Sequence, residues 1–367
     1  MSTLLQRLYS EQGQSPWLDN LQRSYLTDGT LRRLISTGVR GLTSNPTIFQ
    51  KAIQGSTDYD DQFEKEIAKG LSPMDAYWEM VLADINGALD EFEELHRSSN
   101  GIDGFVSVEV DPSLARQGEE TLSAARALHE RISRPNVMIK IPATKEGLPA
   151  IQQMIAEGRS VNVTLIFSVA RYEEVMEAYI SGLETRLKLG QDISSVQSVA
   201  SFFISRVDNA IDAQLHALGT DEALNLKGQA AISQARIAYE TFSRTFSGAR
   251  WGALASAGAH VQRPLWASTS TKNPSYPDTL YVDQLIGLHT VNTLPDATLN
   301  AFSDHGTVDR TIDVDIDIAH HQWAKLQEIG IDVDEVANNL EAEGVVSFVK
   351  SFEELLEALS DKAKNLS

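Results

Sequence analysis

The chain has 367 residues, 42% hydrophobic and 22% charged, enough apolar material for one large barrel or two ordinary domains. Its 51 acidic against 31 basic residues leave a formal charge of −20, which disfavours nucleic acid or an anionic membrane surface as the main partner and restricts anion binding to places where cations gather. The absence of cysteine excludes disulfides, thiolate catalysis and Cys-ligated metals.

Eight short β-rich runs follow one another along the chain: "SPWLDNL" (15–21), "GVRGLTSNP" (38–46), "GFVSVEV" (104–110), "VMIKIPA" (137–143), "VNVTLIFS" (161–168), "VQSVASFFI" (196–204), "RPLWAST" (263–269) and "HTVNTLP" (289–295). Helical stretches separate them. "DPSLARQGEETLSAARALHERI" offers Asp111 as N-cap with Pro112 in the first turn, and "SVARYEEVMEAYISGLETRLKLG" opens at Ser168. Eight alternations of strand and helix predict an α/β fold of the (β/α)8-barrel type rather than an open doubly wound sheet. Residues 47–99 are long for one crossover and are expected to hold two helices. Residues 305–367 form a helical extension, packed outside the barrel or across one end. No linker, repeat or low-complexity tract divides the chain, so 1–367 is expected to be a single barrel domain.

Alternation within the strands carries chemical information, because successive side chains point to opposite faces. Val106, Val108 and Val110 share a face opposite Ser107 and Glu109. Val137, Ile139 and Ile141 lie opposite Met138 and Lys140, and Val161, Val163 and Leu165 lie opposite Asn162 and Thr164. The aliphatic faces suit packing against outer helices, which turns the mixed faces inward. Charges there need partners, so a buried structural network and a reactive centre are both open at this point. Glu109, Lys140 and Thr164 lie near the C-terminal ends of their strands, where enzymes of this architecture place their chemistry.

"GLTSNPTIF" (41–49) and "VMIKIPATKEGLPAI" (137–151) resemble the two signatures of the transaldolase family, sugar-phosphate enzymes of the class I aldolase type. The likeness continues through "VNVTLIFS", "SFFISRVDNAID" (201–212) and "STSTKNPSYPDTLYVDQLIG" (268–287), covering roughly 15 to 300, and the longer form is similar to that of actinobacteria and cyanobacteria. The resemblance implies that Lys140 forms a Schiff base, that Asp19, Glu109 and Thr164 handle protons, and that the last two hold a water. It implies that Asn45 and Asn162 hold the lysine and the substrate hydroxyls, with Ser201 and Phe203 also in the substrate site. Arg206, Ser270 and Lys272 match the phosphate-binding set. Where many members carry arginine, Lys272 supplies charge without a bidentate fork. At the place of Phe203, related fructose 6-phosphate aldolases carry a tyrosine; phenylalanine there favours transfer over release.

The family chemistry needs no metal or organic cofactor, since the iminium is itself the electron sink. The implied reaction moves a dihydroxyacetone unit between sugar phosphates of the pentose phosphate pathway. An imine-forming lysine must attack as the free amine, yet at an ordinary pKa near 10.4 less than roughly 0.1% is neutral at pH 7. Burial among apolar neighbours is the expected activation device.

Other lysines are ranked lower: Lys145 falls in the turn after its strand, and Lys51 and Lys188 on exposed helix faces. The eight histidines show no HxxxH or HxH spacing, and His320 and His321 are adjacent, which argues against a metal-dependent aldolase. "SNP" and "KNP" also read as ordinary turns. A barrel that binds sugar phosphates without turning them over remains the non-enzymatic alternative, although such a binder has no need of Lys140, Glu109 and Asp19 together. No apolar run reaches bilayer length, and "MSTLLQRLYSEQGQS" lacks the pattern of a signal peptide, so the expectation is a cytoplasmic monomer or homodimer.

Overall fold

A computed structural model describes residues 2–366. All eight runs become strands: β1 (Gln14–Leu18), β2 (Gly41–Thr43), β3 (Phe105–Glu109), β4 (Val137–Pro142), β5 (Val161–Ile166), β6 (Ser198–Phe203), β7 (Arg263–Ala267) and β8 (Thr290–Leu294). Each pairs in parallel with its sequence neighbours, and β8 returns to β1 to close the barrel. The (β/α)8 expectation therefore holds.

Register puts the chemistry in line. Glu109 lies opposite Lys140, and Lys140 opposite Asn162. Val106, Val108, Ile139, Ile141, Val161 and Val163 are essentially inaccessible to solvent and belong to the apolar core beneath the outer helices. On the inner face Asn162 Nδ2 donates to Ser107 Oγ at 3.0 Å and Ser201 Oγ donates to Asn162 Oδ1 at 2.7 Å, a polar cross-link over three strands. Trp17 fills the interior beside Gly41, where a Cβ would come within 2.4 Å of the indole, so only glycine fits.

One residue breaks the alternation. Leu165 was grouped with Val161 and Val163, but β5 shifts register between Val163 and Ile166 and Leu165 takes φ +61°. The bulge turns Leu165 towards the C-terminal helix, where its Cδ2 meets Gly344. A branched side chain at positive φ costs on the order of 1 kcal/mol or more, which the packing above it must offset.

The crossovers correct two other expectations. Residues 47–99 hold three helices, Pro46–Gly55, Asp60–Ala68 and Pro73–Ser98, rather than two. The start signal of the third was legible: Ser72 accepts from Asp75 N and Pro73 takes the first turn. Asp111 caps only a short 3-10 turn, Pro112–Leu114, and the long helix starts separately at Gly118. Ser168 caps its helix as expected, accepting from Arg171 N at 3.1 Å. His320 and His321 sit on a helix where His320 Nε2 pairs with Glu240.

After β8 the chain forms helices Asp296–His305 and Ile316–Glu328, then the 34-residue helix Val333–Leu366. This last helix crosses the C-terminal end of the barrel. It rests on Pro46–Gly55 and Pro73–Ser98, with Thr47 Oγ1 and Ser351 Oγ 2.8 Å apart and Tyr77 edge-on to Phe352 at 5.4 Å. Among the described residues no helix is long and apolar enough to cross a membrane.

Candidate active site

A cavity of about 350 Å³ opens at the C-terminal ends of the strands, in the size range of small-molecule sites. Its walls come from successive strand ends and the segments after them: Asp19 after β1, Asn45 after β2, Lys140 on β4, Thr164 on β5, Ser201 and Phe203 on β6, Arg206 at the start of the helix that follows it (Ser205–Leu218), and Ser270 and Lys272 after β7. Nine of the eleven residues singled out from the sequence thus line one space. Glu109 and Asn162 lie just beneath it, reaching it through Lys140 and the Ser107–Asn162–Ser201 cross-link.

Lys140 is 4% exposed, and its Nζ stands 3.3 Å from Glu109 Oε2. It donates one hydrogen bond, at 3.2 Å, to the carbonyl of Ser44. That carbonyl, not the Asn45 side chain, holds the amine: Asn45 Oδ1 instead caps the following helix by accepting from Ile48 N at 3.0 Å. Ser44 escaped notice because a backbone acceptor leaves no trace in residue type.

Burial raises the affinity of Glu109 for a proton, more strongly than the neighbouring Lys140 lowers it. Asp19, half-buried in the cavity wall, is shifted in the same direction by burial, opposed by Lys140 and reinforced by Asp296. Thr164 Oγ1 is buried in the wall without a hydrogen-bonding protein partner among the described residues.

Arg206 is little committed to the protein. Its guanidinium lies 5.3 Å over the ring of Phe203, and no described protein group accepts a hydrogen bond from it or pairs with it in a salt bridge. Burial lowers its proton affinity, offset by Glu343 and Asp19. Lys272 is exposed and donates to Ser270 Oγ at 2.7 Å, so the two act together at the rim. Lys51, assigned to an exposed helix face, is exposed but also lines the cavity, adding a cation to Arg206 and Lys272; Thr43, Ser268, Ser347 and Phe348 are among the other parts of the wall that sequence reasoning missed. Lys145 and Lys188 remain on the surface.

A larger hollow of about 710 Å³ lies at the opposite end of the barrel. Its cations are already engaged, Arg263 by Ser15, Asp103 and the Ile102 carbonyl, and Arg310 by Asp313. The smaller cavity holds the uncommitted groups and is the candidate site.

A buried amine beside a carboxyl whose proton affinity burial raises, with uncommitted cations at the rim of a parallel eight-stranded barrel, has the makings of a lysine-centred enzyme site for an anionic carbon substrate. The comparisons specify which. The profile of the transaldolase/fructose-6-phosphate aldolase family matches residues 16–359. A transaldolase of Thermobifida fusca is 48% identical over 364 residues, 99% of each chain, and one of a Parafrankia species is 50% identical over 355 residues, 96% of each. Transaldolase 1 of Streptomyces avermitilis is 49% identical over 358 residues, 97% of this chain and 94% of its own. The chain belongs to the transaldolase/fructose-6-phosphate aldolase family and is an enzyme of the transaldolase type.

Proposed function

We propose that the chain moves a dihydroxyacetone unit from a ketose phosphate, sedoheptulose 7-phosphate or fructose 6-phosphate, to an aldose phosphate, glyceraldehyde 3-phosphate or erythrose 4-phosphate, through a Schiff base on Lys140. The observation that carries this reading is the placement of the Lys140 amine, 3.3 Å from Glu109, in a wall shared with Asp19 and Arg206.

Lys140 attacks the C2 carbonyl as the free amine, and its departing proton passes to Glu109, whose raised proton affinity suits it to accept and return protons as the carbinolamine loses water. Thr164 Oγ1, with no hydrogen-bonding partner among the described residues, can hold that water. Asp19 takes the C4 hydroxyl proton, the C3–C4 bond breaks into the protonated imine, and the aldose phosphate leaves. The three-carbon unit stays as an enamine until a second aldehyde arrives and the steps reverse. Arg206 and Lys272 hold the phosphate of donor and then acceptor, with Ser270 on Lys272; this local cation set lets a chain of charge −20 bind anions. Ser201, Asn162 and Asn45 shape the floor and the hydroxyl contacts. The chain needs no added cofactor for these steps, and it acts in the cytoplasm as a monomer or homodimer in the pentose phosphate pathway.

Borohydride reduction with fructose 6-phosphate, followed by peptide mass mapping, tests the reading: a three-carbon adduct is expected on Lys140 and is lost in Lys140→Ala. An adduct on another lysine, or transfer activity persisting in Lys140→Ala, overturns the mechanism. A barrel that only binds sugar phosphates would give no adduct at all.

A further inference from the structure

The C-terminal helix brings to the reacting amine a side chain that no strand supplies. Phe348 is 5% exposed, lines the cavity, and holds its ring centroid 5.9 Å from Lys140 Nζ. Its position is built rather than incidental. One turn earlier, Gly344 lets the helix settle on the barrel, since a Cβ there would stand 3.0 Å from Leu165 Cδ2 and 3.7 Å from Arg206 Nη1. One turn later, Ser351 meets Thr47 and Phe352 meets Tyr77. Farther out, Glu341 pairs with Arg116 at 2.9 Å, Gln50 donates to Glu354 at 2.9 Å, and Lys362 pairs with Asp60. The strained Leu165 bulge is the surface on which the helix rests, so the positive φ in β5 and the placement of Phe348 are parts of one arrangement.

We infer that Phe348 is a specificity-determining residue: its ring closes the helix side of the enamine pocket against solvent, so that the bound three-carbon unit is handed to an aldehyde instead of being released as free dihydroxyacetone. This rests on the reading of Lys140 as the imine-forming residue.

The two outcomes differ at one step. In release, a proton adds to the nucleophilic enamine carbon, water adds to the resulting iminium carbon, and the C–N bond breaks to give dihydroxyacetone and the free amine, with one water consumed. In transfer, the same carbon bonds to the aldehyde carbon, the aldehyde oxygen takes back the proton held by Asp19, and the new iminium is hydrolysed by one water in the same way. Water is consumed equally on both routes. What decides between them is whether a solvent-derived proton or an aldehyde reaches the enamine carbon first. An apolar ring beside the amine bears on that competition by excluding the proton donor. Phe203 comes from the end of β6 rather than from the helix, packed on Phe167 at 5.0 Å and under Arg206.

The test uses the full chain with Phe348→Ala, Phe348→Leu and, as a control on the same helix, Val346→Ala, whose side chain is 65% exposed. With fructose 6-phosphate as donor, three quantities are measured: sedoheptulose 7-phosphate formed from erythrose 4-phosphate, free dihydroxyacetone released, and the borohydride-trapped adduct on Lys140. In Phe348→Ala the ratio of release to transfer is expected to rise at least about tenfold, equivalent to ~1.4 kcal/mol between the two barriers. The rise is smaller in Phe348→Leu, which keeps apolar volume and guards against loss of folding, and the ratio does not move in Val346→Ala. In deuterium oxide the released dihydroxyacetone carries one deuterium on the newly protonated carbon. An adduct still trapped on Lys140 together with an unchanged ratio in both Phe348 variants overturns the inference while leaving the Schiff-base reading intact. A ratio that rises equally in Val346→Ala also overturns it, because the cause would then be the seating of the helix. No adduct in the parent enzyme removes the Schiff-base reading itself.

Discussion

Arg206→Ala probes the phosphate site most directly, because the residue is so little engaged by the protein. Its guanidinium donates no hydrogen bond to a described protein group and only lies 5.3 Å over Phe203, a contact worth about 0.5–1 kcal/mol. Folding should therefore survive with a small change in Tm. A phosphate, by contrast, can accept two charge-assisted hydrogen bonds from the planar fork. At about 1.5–3 kcal/mol each, discounted for a site open at one side, their loss comes to about 3 kcal/mol, or roughly 10²-fold in kcat/KM. The assay compares kcat/KM for fructose 6-phosphate and for fructose as donors with the same acceptor. The expected result is a loss confined to the phosphorylated donor, carried mainly by KM. An equal loss with fructose would place Arg206 in the bond-breaking chemistry, and no loss with either would move the phosphate to Lys272 and Lys51; either result refutes the assignment.

Three other outcomes follow from the same geometry. Asp19 must be ionised to take the C4 proton, and burial raises its proton affinity, so the acid limb of kcat/KM should lie above the ordinary carboxylate range; Asp19→Asn should abolish cleavage while borohydride still traps the intact ketose on Lys140. Burial would raise Asp103, but Arg263 at 3.1 Å and Arg40 at 2.6 Å overcome it and hold the carboxyl below its usual value. Its stabilising contribution is thus complete above the unfolded-state pKa of about 3.9 and is lost as pH falls through the lower folded value; Asp103→Asn should cost about 3–5 kcal/mol near neutrality and flatten the acid arm of a denaturation profile. Gly41→Ala would drive a Cβ to 2.4 Å from the Trp17 ring and should cost about 1–3 kcal/mol or more, seen as a lower Tm. A Tm within a degree of the parent would show that the barrel interior there has room to spare.

Much of this protein is decided locally. The period-two alternation of "VSVEV", "VMIKI" and "VNVTL" depends only on backbone geometry and burial, so it assigned Ser107, Glu109, Lys140, Asn162 and Thr164 to the barrel interior before any partner strand was known, and parallel register then lined up Glu109, Lys140 and Asn162. Ser168 marked a helix start for the same reason: a cap answers a need that is met within a few residues.

What the sequence could not decide are contacts made between segments far apart in the chain. The bulge at Leu165 is invisible in "VNVTLIFS", because it exists only where a helix 180 residues later needs a seat at Gly344. The Ser44 carbonyl that holds Lys140 belongs to a backbone, which every residue has. Lys51 resembles any lysine on an exposed helix until the barrel end curves round to make it part of a wall. Phe348 reads as one more apolar position of a long amphipathic helix. Only closure of the eight strands, with that helix laid across their C-terminal ends, places its ring 5.9 Å from the Lys140 amine. Alternation along a strand is a property of neighbouring residues; the shape and dryness of the space above it belong to the assembled barrel.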